Sequence, residues 1–190
     1  MKPAPAPFLD PRTAEWGFDA SNLISAVLAP GMLGTIALGF SGRAHIVDEV
    51  LHELDRGESG GPVRAMPWFA ERSLTTLEEI AEMAALHRQF TRDPARDRGE
   101  AATLVVAAHD NWTVVLDDGT AYAIACERGA RVTRTPQLIV SMVRAQWWSA
   151  DDAWVAYMAL IEKRGRRLGP IPWNGRAAFG ELCAINTFDP

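Results

Sequence analysis

Cysteine is scarce in this chain: among 190 residues only Cys126 and Cys183 are present. Two cysteines are too few for a disulfide framework, and such scarcity fits a reducing cytoplasm best. The histidines also lie far apart, without the paired Cys or His spacing that a zinc site requires, so a zinc site has little support. The four positions are His45, His52, His87 and His109.

An excess of positive charge is missing as well. There are 19 Lys and Arg residues against 24 Asp and Glu, which gives a net charge of −5. The chain as a whole therefore lacks the basic footprint of a non-specific nucleic-acid binder. One local basic cluster contains Lys163, Arg164, Arg166 and Arg167. It predicts either a solvated helix C-terminus, where positive charge suits the helix dipole, or a weak contact to RNA.

A long unbroken hydrophobic run is the third absence. The longest apolar stretch, residues 23–40, is interrupted by one proline and three glycines. These breaks predict two short buried helices and no membrane span. The first seven residues are proline-rich and lack the apolar centre of a secretion signal, so we expect residues 1–15 to form an extended arm.

Strand-like and helix-like segments alternate along the rest of the chain. Short apolar runs typical of buried strands lie at residues 16–18, 45–47, 113–116 and 130–133, and an edge strand is expected within 63–70. Helices are expected at residues 21–28, 32–40, 48–56, 97–109, 119–128, 135–146 and 151–164, while 57–62 reads as a loop. Another helix opens with a capping box at Thr75–Glu79 and carries Leu77, Ile80 and Ala84 on its predicted apolar side. This order predicts a three-layer α/β/α fold with a central parallel sheet.

Acidic residues lie beside these segments at four points. Asp19 follows the first strand, Glu53 lies in the helix over 48–56, Glu100 begins a later helix, and Asp117 and Asp118 follow a buried strand. Ligands of parallel sheets gather at the carboxyl ends of the strands. Convergent carboxylate oxygens are what Mg²⁺ or Mn²⁺ binds, and such ions assist phosphodiester hydrolysis. A shared metal site is therefore the joint prediction.

Each acid taken alone also fits a structural role. Asp19 is a suitable helix N-cap, Asp97 and Glu100 have the spacing of a capping box, and Asp118 stands in a turn-forming Asp-Gly pair. Glu53 fits an exposed helix position. The order of the four points against the strand–helix alternation favours the shared site over four separate caps and turns.

The segments that carry these acids resemble the PIN domain family. They are Asp-Ala-Ser-Asn-Leu-Ile at 19–24, Ile-Val-Asp-Glu-Val-Leu-His-Glu-Leu at 46–54, Gly-Glu-Ala-Ala at 99–102 and Val-Val-Leu-Asp-Asp at 114–118. PIN domains are α/β nucleases with a parallel sheet, and many are VapC-like ribonuclease toxins of toxin–antitoxin pairs. The resemblance spans residues 16–144, in the branch with Gly-Glu and Asp-Asp motifs. The chain departs from that branch at Tyr122, where an arginine is usual, and at Arg134, where a glycine is usual.

The resemblance implies a PIN-like nuclease domain over residues 16–146, followed by a C-terminal helix and tail over 147–190 that pack on it. It implies an Mg²⁺- or Mn²⁺-dependent endoribonuclease with an RNA substrate, a cognate antitoxin as partner and a homodimeric state. The residues it implies as catalytic are Asp19, Glu53, Glu100 and Asp118. Those it implies as metal ligands are Asp19, Glu100, Asp117 and Asp118, with Ser21 and Thr120 as supporting hydrogen-bonding residues.

Other functions stay open at this point. One is a catalytically weak PIN fold that serves as a protein or RNA interaction module, and another is a PIN-like DNA nuclease. Trp147 and Trp148 fit either a core or a partner interface. The segment 114–120 also resembles haloacid-dehalogenase-type phosphatases, but Leu116 stands at the nucleophile position and removes that chemistry.

Overall fold

The computed structural model describes residues 6–66, 69–91, 93, 97–164 and 173–189. Within these residues the strands are β1 (Trp16–Phe18), β2 (Ala44–Val47), β3 (Phe69–Arg72), β4 (Thr113–Val115) and β5 (Val132–Thr133). They form one sheet in the order β3–β2–β1–β4–β5, and each neighbouring pair is parallel.

Helices flank this sheet and make the three-layer α/β/α fold that the sequence predicts. In chain order they are α1 (Ala20–Leu28), α2 (Met32–Gly39), α3 (Asp48–Asp55), α4 (Gly60–Arg64), α5 (Leu77–Phe90), α6 (Arg98–Asp110), α7 (Gly119–Glu127), α8 (Thr135–Arg144), α9 (Ala150–Arg164) and α10 (Gly175–Ala184).

The strand order creates a topological switch point between β1 and β4. From β1 the chain continues to β2 and β3 on one side, whereas β4 and β5 lie on the other side. Phe18 pairs with Val115, so the residues that follow both strands emerge at the same sheet edge. Open α/β sheets bind their ligands at such a point. The fold thus brings Asp19 and Asp117 to the edge where a site is expected.

Aromatic packing supports the central strand. Phe40 lies edge-to-face against Trp16 and Phe18, with ring centroids 5.2 and 5.3 Å apart. Trp147 packs on Phe40 at 4.9 Å. A Cβ at Gly39 would lie 2.1 Å from the Trp147 ring, so only glycine permits this close approach. These contacts fasten α2 and the segment after α8 to β1.

Most predicted elements are present, with ends shifted by a residue or two. Residues 23–40 lie in α1 and α2, which are bent by 118° at the break between them, as the interrupting proline and glycines predict. In the described parts of the chain no single helix has the length and apolar character to cross a membrane, and only this bent pair passes that test together. The capping box of α5 is formed by Thr76 and Glu79.

Two expectations about the first half of the chain are wrong. Residues 60–64, expected as part of a loop and the start of a strand, form α4, and β3 begins only at Phe69. The apolar side predicted for α5 faces solvent, since Leu77 is 87% and Ile80 45% exposed. Met83 and Leu86 are buried instead. The face that an amphipathic helix buries depends on its partner, here chiefly α6.

One expectation about the second half also needs correction. In the helix over 151–164 the sequence predicts one apolar stripe, made of Trp154, Tyr157, Met158 and Ile161. Met158 is 45% exposed, while Ala153, Ala156 and Leu160 are fully buried. The tail after residue 164, which has no clean periodicity, contains α10. Residues 165–172, including Arg166 and Arg167, lie outside the described part.

The two ends of the described chain bind each other. The Phe8 N–H donates to Asp189 Oδ2 at 2.7 Å, and the Phe8 carbonyl accepts from the Asp189 N–H at 3.0 Å. The Arg144 guanidinium lies 4.5 Å from the Phe8 ring centroid and donates to the carbonyls of Leu182 and Thr187. Phe8 of the predicted arm therefore lies beside the C-terminal segment, and residues 1–5 lie outside the described part.

Candidate active site

Asp19 lies directly after β1 and caps α1. Its Oδ2 accepts hydrogen bonds from the Ser21 N–H at 3.1 Å and from the Ser21 hydroxyl at 2.5 Å. The side chain is fully buried. The Asp19 pKa is raised to about 7, chiefly by burial; the charges of Glu53 and Asp117 contribute to the rise, and the Ser21 hydrogen bonds oppose it. Being an N-cap does not exclude Asp19 from a charged cluster, because only one of its oxygens caps the helix.

Glu100 stands in the first turn of α6 and is 8% exposed. Burial raises its pKa to about 10, and the charges of Asp19 and Glu53 contribute to the rise. The capping-box explanation for Glu100 is wrong, because the start of α6 is capped from another helix. The Gly99 N–H donates to Glu53 Oε1 at 2.8 Å, whereas the Asp97 side chain does not cap α6.

Glu53 of α3 therefore joins two parts of the site. Burial raises its pKa, while the backbone amides of Gly99 and Arg98 lower it. By accepting from the first turn of α6, Glu53 fixes the helix that carries Glu100. Its charge also acts on both Asp19 and Glu100. The expectation of an exposed helix residue does not describe it.

Asp117 follows β4 and is 3% exposed. Its two oxygens accept from the Thr135 N–H at 2.9 Å and the Thr135 hydroxyl at 2.6 Å. Burial raises the Asp117 pKa, and the Thr135 hydrogen bonds and the charges of Arg164 and Arg134 lower it. Asn22 of α1 donates to the Thr135 hydroxyl at 2.8 Å and so connects Asp117 with the helix that Asp19 caps.

Asp118 has a different environment from its neighbour. It is exposed, and its Oδ1 caps α7 by accepting from the N–H groups of Thr120 and Ala121 at 2.8 and 2.9 Å. Thr120 thus contributes its amide to this cap. The structure brings Asp19 within electrostatic reach of Glu53, Glu100 and Asp117, and Glu100 within reach of Glu53, whereas it leaves Asp118 at the surface.

Sequence reasoning missed several residues of this edge. Arg134 is buried, donates to the Asp117 carbonyl at 2.8 Å and lies 4.3 Å from the Tyr122 ring centroid. Tyr122 and Arg134, the two residues at which the chain departs from the branch pattern, therefore contact each other. Arg134 directly follows β5, and that position at the carboxyl edge was the available signal. Asn22 had a similar signal, because it lies three residues after Asp19 on α1.

A cleft opens beside Glu53. It has a volume of about 190 Å³ and is lined by Glu49, His52, Glu53, Arg56 and Arg98. Burial raises the Glu49 pKa to about 7, and the neighbouring Asp48 carboxyl contributes. Glu49 lies one helical turn before Glu53, and this i, i+4 spacing is the signal that could have found it.

The described half of the basic cluster contacts α1. Lys163 Nζ donates to the Leu28 carbonyl at 3.1 Å. Arg164 donates to the Ser21 carbonyl and to Ser25 Oγ, the latter at 2.9 Å. Lys163 and Arg164 of α9 therefore both bind protein groups, one towards each end of α1.

The donor chemistry of the site fits a hard divalent cation. Among the described residues, Asp19 Oδ1 and Glu100 Oε2 are buried oxygens without a hydrogen-bond partner, an arrangement that costs free energy unless a partner binds. No three His, Cys, Asp or Glu side chains in the described ranges are already grouped to hold an ion by themselves. Mg²⁺ typically uses one or two carboxylates together with water and substrate oxygens, so a carboxylate pair suffices.

Comparison with known proteins decides the family. The sequence model described as PIN domain matches residues 18–172. The chain belongs to the PIN domain family. PIN domains are generally nucleases, typically depend on divalent metal ions and often act on nucleic acids. The PIN domain match extends through α9, beyond the boundary at residue 146 that the motifs suggest. No curated protein matches the chain.

Proposed function

We propose that this PIN domain protein is a metal-dependent endoribonuclease that hydrolyses RNA phosphodiester bonds. The observation that carries the proposal is the placement of buried Asp19 after β1 and buried Asp117 after β4, at the switch point, with Asp19 in electrostatic interaction with both Asp117 and the buried Glu100. Each of the three pKa values is raised. Such a cluster is poorly suited to an apo protein and well suited to binding a cation.

Asp19 and Glu100 would hold the ion with the oxygens that lack hydrogen bonds, and Asp117 would complete the negative edge. A bound Mg²⁺ or Mn²⁺ supplies the positive charge that offsets the carboxylates and the charge developing on the phosphoryl oxygens. Glu53 keeps the first turn of α6, and with it Glu100, in position. In the adjoining cleft, Arg98 and Arg56 are suited to contact neighbouring phosphates of the substrate.

The RNA preference and the biological role rest on the resemblance to the VapC-like branch. On that basis we propose a cytoplasmic toxin that acts as a homodimer and is held inactive by a cognate antitoxin. Exposed apolar side chains on α9, Val155 and Met158, are compatible with a protein partner.

Cleavage assays on labelled RNA and DNA of the same sequence test the proposal. We expect RNA to be cut in Mg²⁺ or Mn²⁺ but not in EDTA, and Asp19→Asn to lower the rate about 100-fold or more. Glu127→Gln, which neutralises an exposed carboxylate at the end of α7, is the matched control and should cleave at the native rate. Cleavage of DNA alone would point to a DNA nuclease, and cleavage of neither to an interaction module.

Expression in a bacterial host tests the toxin role separately. The native protein is expected to arrest growth, and Asp19→Asn to relieve the arrest at equal protein level. If both forms are equally toxic, nuclease action is not the cause.

A further inference from the structure

We propose that Arg164 is a positioning residue for Asp19, so that the C-terminal end of α9 is part of the active centre. This inference rests on the proposed nuclease function. It also assigns an intramolecular task to a residue whose sequence context predicts a solvated charge or an RNA contact.

A short series of contacts links Arg164 to the Asp19 carboxylate. Arg164 Nη1 donates to the Ser21 carbonyl and to Ser25 Oγ. Ser25 Oγ donates in turn to the Ser21 carbonyl at 2.9 Å. The N–H and hydroxyl of Ser21 bind Asp19 Oδ2. Ser21 therefore stands between the guanidinium and the carboxylate and contacts both.

The geometry of this contact suits arginine. A serine hydroxyl that bonds to the carbonyl one turn earlier weakens and often bends a helix. Here the Ser21 carbonyl and the buried Ser25 hydroxyl also share one cationic donor. Hydrogen bonds from a charged donor are stronger than neutral ones, and the planar guanidinium holds its N–H groups in a fixed geometry. Arg164 thereby fixes the first turn of α1 at the place where Asp19 begins it.

The neighbouring Lys163 is a natural comparison for Arg164. It carries the same charge, lies on the same helix and binds the same partner, but at the Leu28 carbonyl in the last turn of α1. A general electrostatic attraction for RNA would involve both residues equally. A positioning role predicts that only Arg164 affects Asp19.

The position of Arg164 also differs from that of a surface charge. Its side chain is partly buried against α1, and its positive charge lowers the pKa of Asp117. The guanidinium therefore lies within reach of the acidic cluster from the side of α9. The PIN domain match includes this helix.

Three variants of the full chain test the inference: Arg164→Gln, Arg164→Lys and, as the matched control, Lys163→Gln. Mn²⁺ affinity is measured by calorimetric titration, and kcat and KM for RNA are measured at low and high salt. Amide hydrogen exchange is followed along α1. Arg164→Gln should weaken Mn²⁺ binding and lower kcat by about 10–100-fold, with KM and its salt dependence unchanged. Exchange should quicken at residues 21–25.

Arg164→Lys should recover part of the Mn²⁺ affinity, because it keeps the positive charge but loses the planar guanidinium. This variant still tests the inference if Arg164→Gln is poorly folded. Lys163→Gln should quicken exchange only near the end of α1 and keep the native Mn²⁺ affinity. Equal rises in KM for Arg164→Gln and Lys163→Gln, with native kcat and Mn²⁺ affinity, would overturn the inference in favour of an RNA contact.

The exchange experiment separates this inference from the proposed function. If the native chain neither binds Mn²⁺ nor cleaves RNA, the nuclease proposal fails. Native exchange rates at residues 21–25 in Arg164→Gln would then overturn the positioning role as well. Selective quickening there would support the link from Arg164 to Asp19.

Discussion

Burial divides the acid pair that follows β4. Asp117 is almost completely buried and both its oxygens are bound by Thr135, whereas Asp118 is exposed and caps α7. Two adjacent residues at a strand end point in different directions, so only one of them can join the cluster with Asp19. We assign that place to Asp117, and we interpret Asp118 as a helix cap.

Paired substitutions distinguish the two residues. Asp117→Asn should weaken Mn²⁺ binding and lower the cleavage rate by about 10–100-fold, because the negative charge beside Asp19 is lost. Asp118→Asn should retain Mn²⁺ affinity, since asparagine caps a helix as well as aspartate does, and Asp118→Ala should cost about 1 kcal/mol of stability. Calorimetric titration and urea unfolding measure these effects. Loss of Mn²⁺ binding in Asp118→Asn but not in Asp117→Asn would reverse the assignment.

At the scale of elements, the approach of α6 to α3 controls the site. Gly99 is the residue at the contact, and its amide is bound by Glu53. A Cβ added there would lie 3.0 Å from both Glu53 Oε2 and Val50 Cγ2. Glycine therefore allows the first turn of α6 to lie close enough for Glu53 to cap it.

Gly99→Ala should force α6 away from α3 or turn Glu53 aside. Because Glu100 is the next residue, we expect kcat to fall about 10-fold or more, since small misplacements at a reacting centre are costly. Gly34→Ala in α2 is the control, because among the described atoms nothing lies within 4 Å of its added Cβ. It should gain about 0.5–1 kcal/mol of stability at native kcat. A Gly99→Ala variant with native kcat would contradict the role given to this contact.

The same elements indicate what a sequence can and cannot predict. The sheet and most helices follow from local apolar patterns, and so does the delivery of Asp19 and Asp117 to one edge. The sequence mispredicts the buried face of α5, because burial of Met83 and exposure of Leu77 depend on where the other helices lie. The Glu53–Gly99 bond joins residues 46 positions apart, and local spacing cannot predict such a bond. For the same reason the pattern suggested a capping box at Asp97 and Glu100 that does not form.

At the scale of the whole molecule, the acidic cluster makes stability depend on pH and metal. The Asp19 pKa rises from 3.8 to about 7 and the Glu100 pKa from 4.5 to about 10. Between the unfolded and folded pKa values the folded chain holds more protons than the unfolded chain. The contribution of these two groups to the free energy of unfolding is therefore fully present below about pH 4. It is lost as the pH rises towards the folded pKa values. A bound divalent cation opposes this loss, because it stabilises the ionised carboxylates.

Thermal unfolding with and without metal tests this dependence. In EDTA, raising the pH from about 5 to about 8 should lower the Tm of the native chain relative to that of Glu100→Gln, because these groups contribute less stability at the higher pH. Mn²⁺ at about 100 times its Kd should add about 2.7 kcal/mol of stability, or about 5–10 °C for a chain of this size. At one fixed Mn²⁺ concentration, the increase should be larger at the higher pH, where fewer protons compete for the carboxylates. Glu100→Gln should unfold at a higher temperature than the native chain in EDTA at about pH 8, and it should respond weakly to Mn²⁺.

An equal Mn²⁺ response in both proteins would show that the ion binds elsewhere. A native Tm in EDTA that rises with pH relative to Glu100→Gln would contradict the raised pKa values.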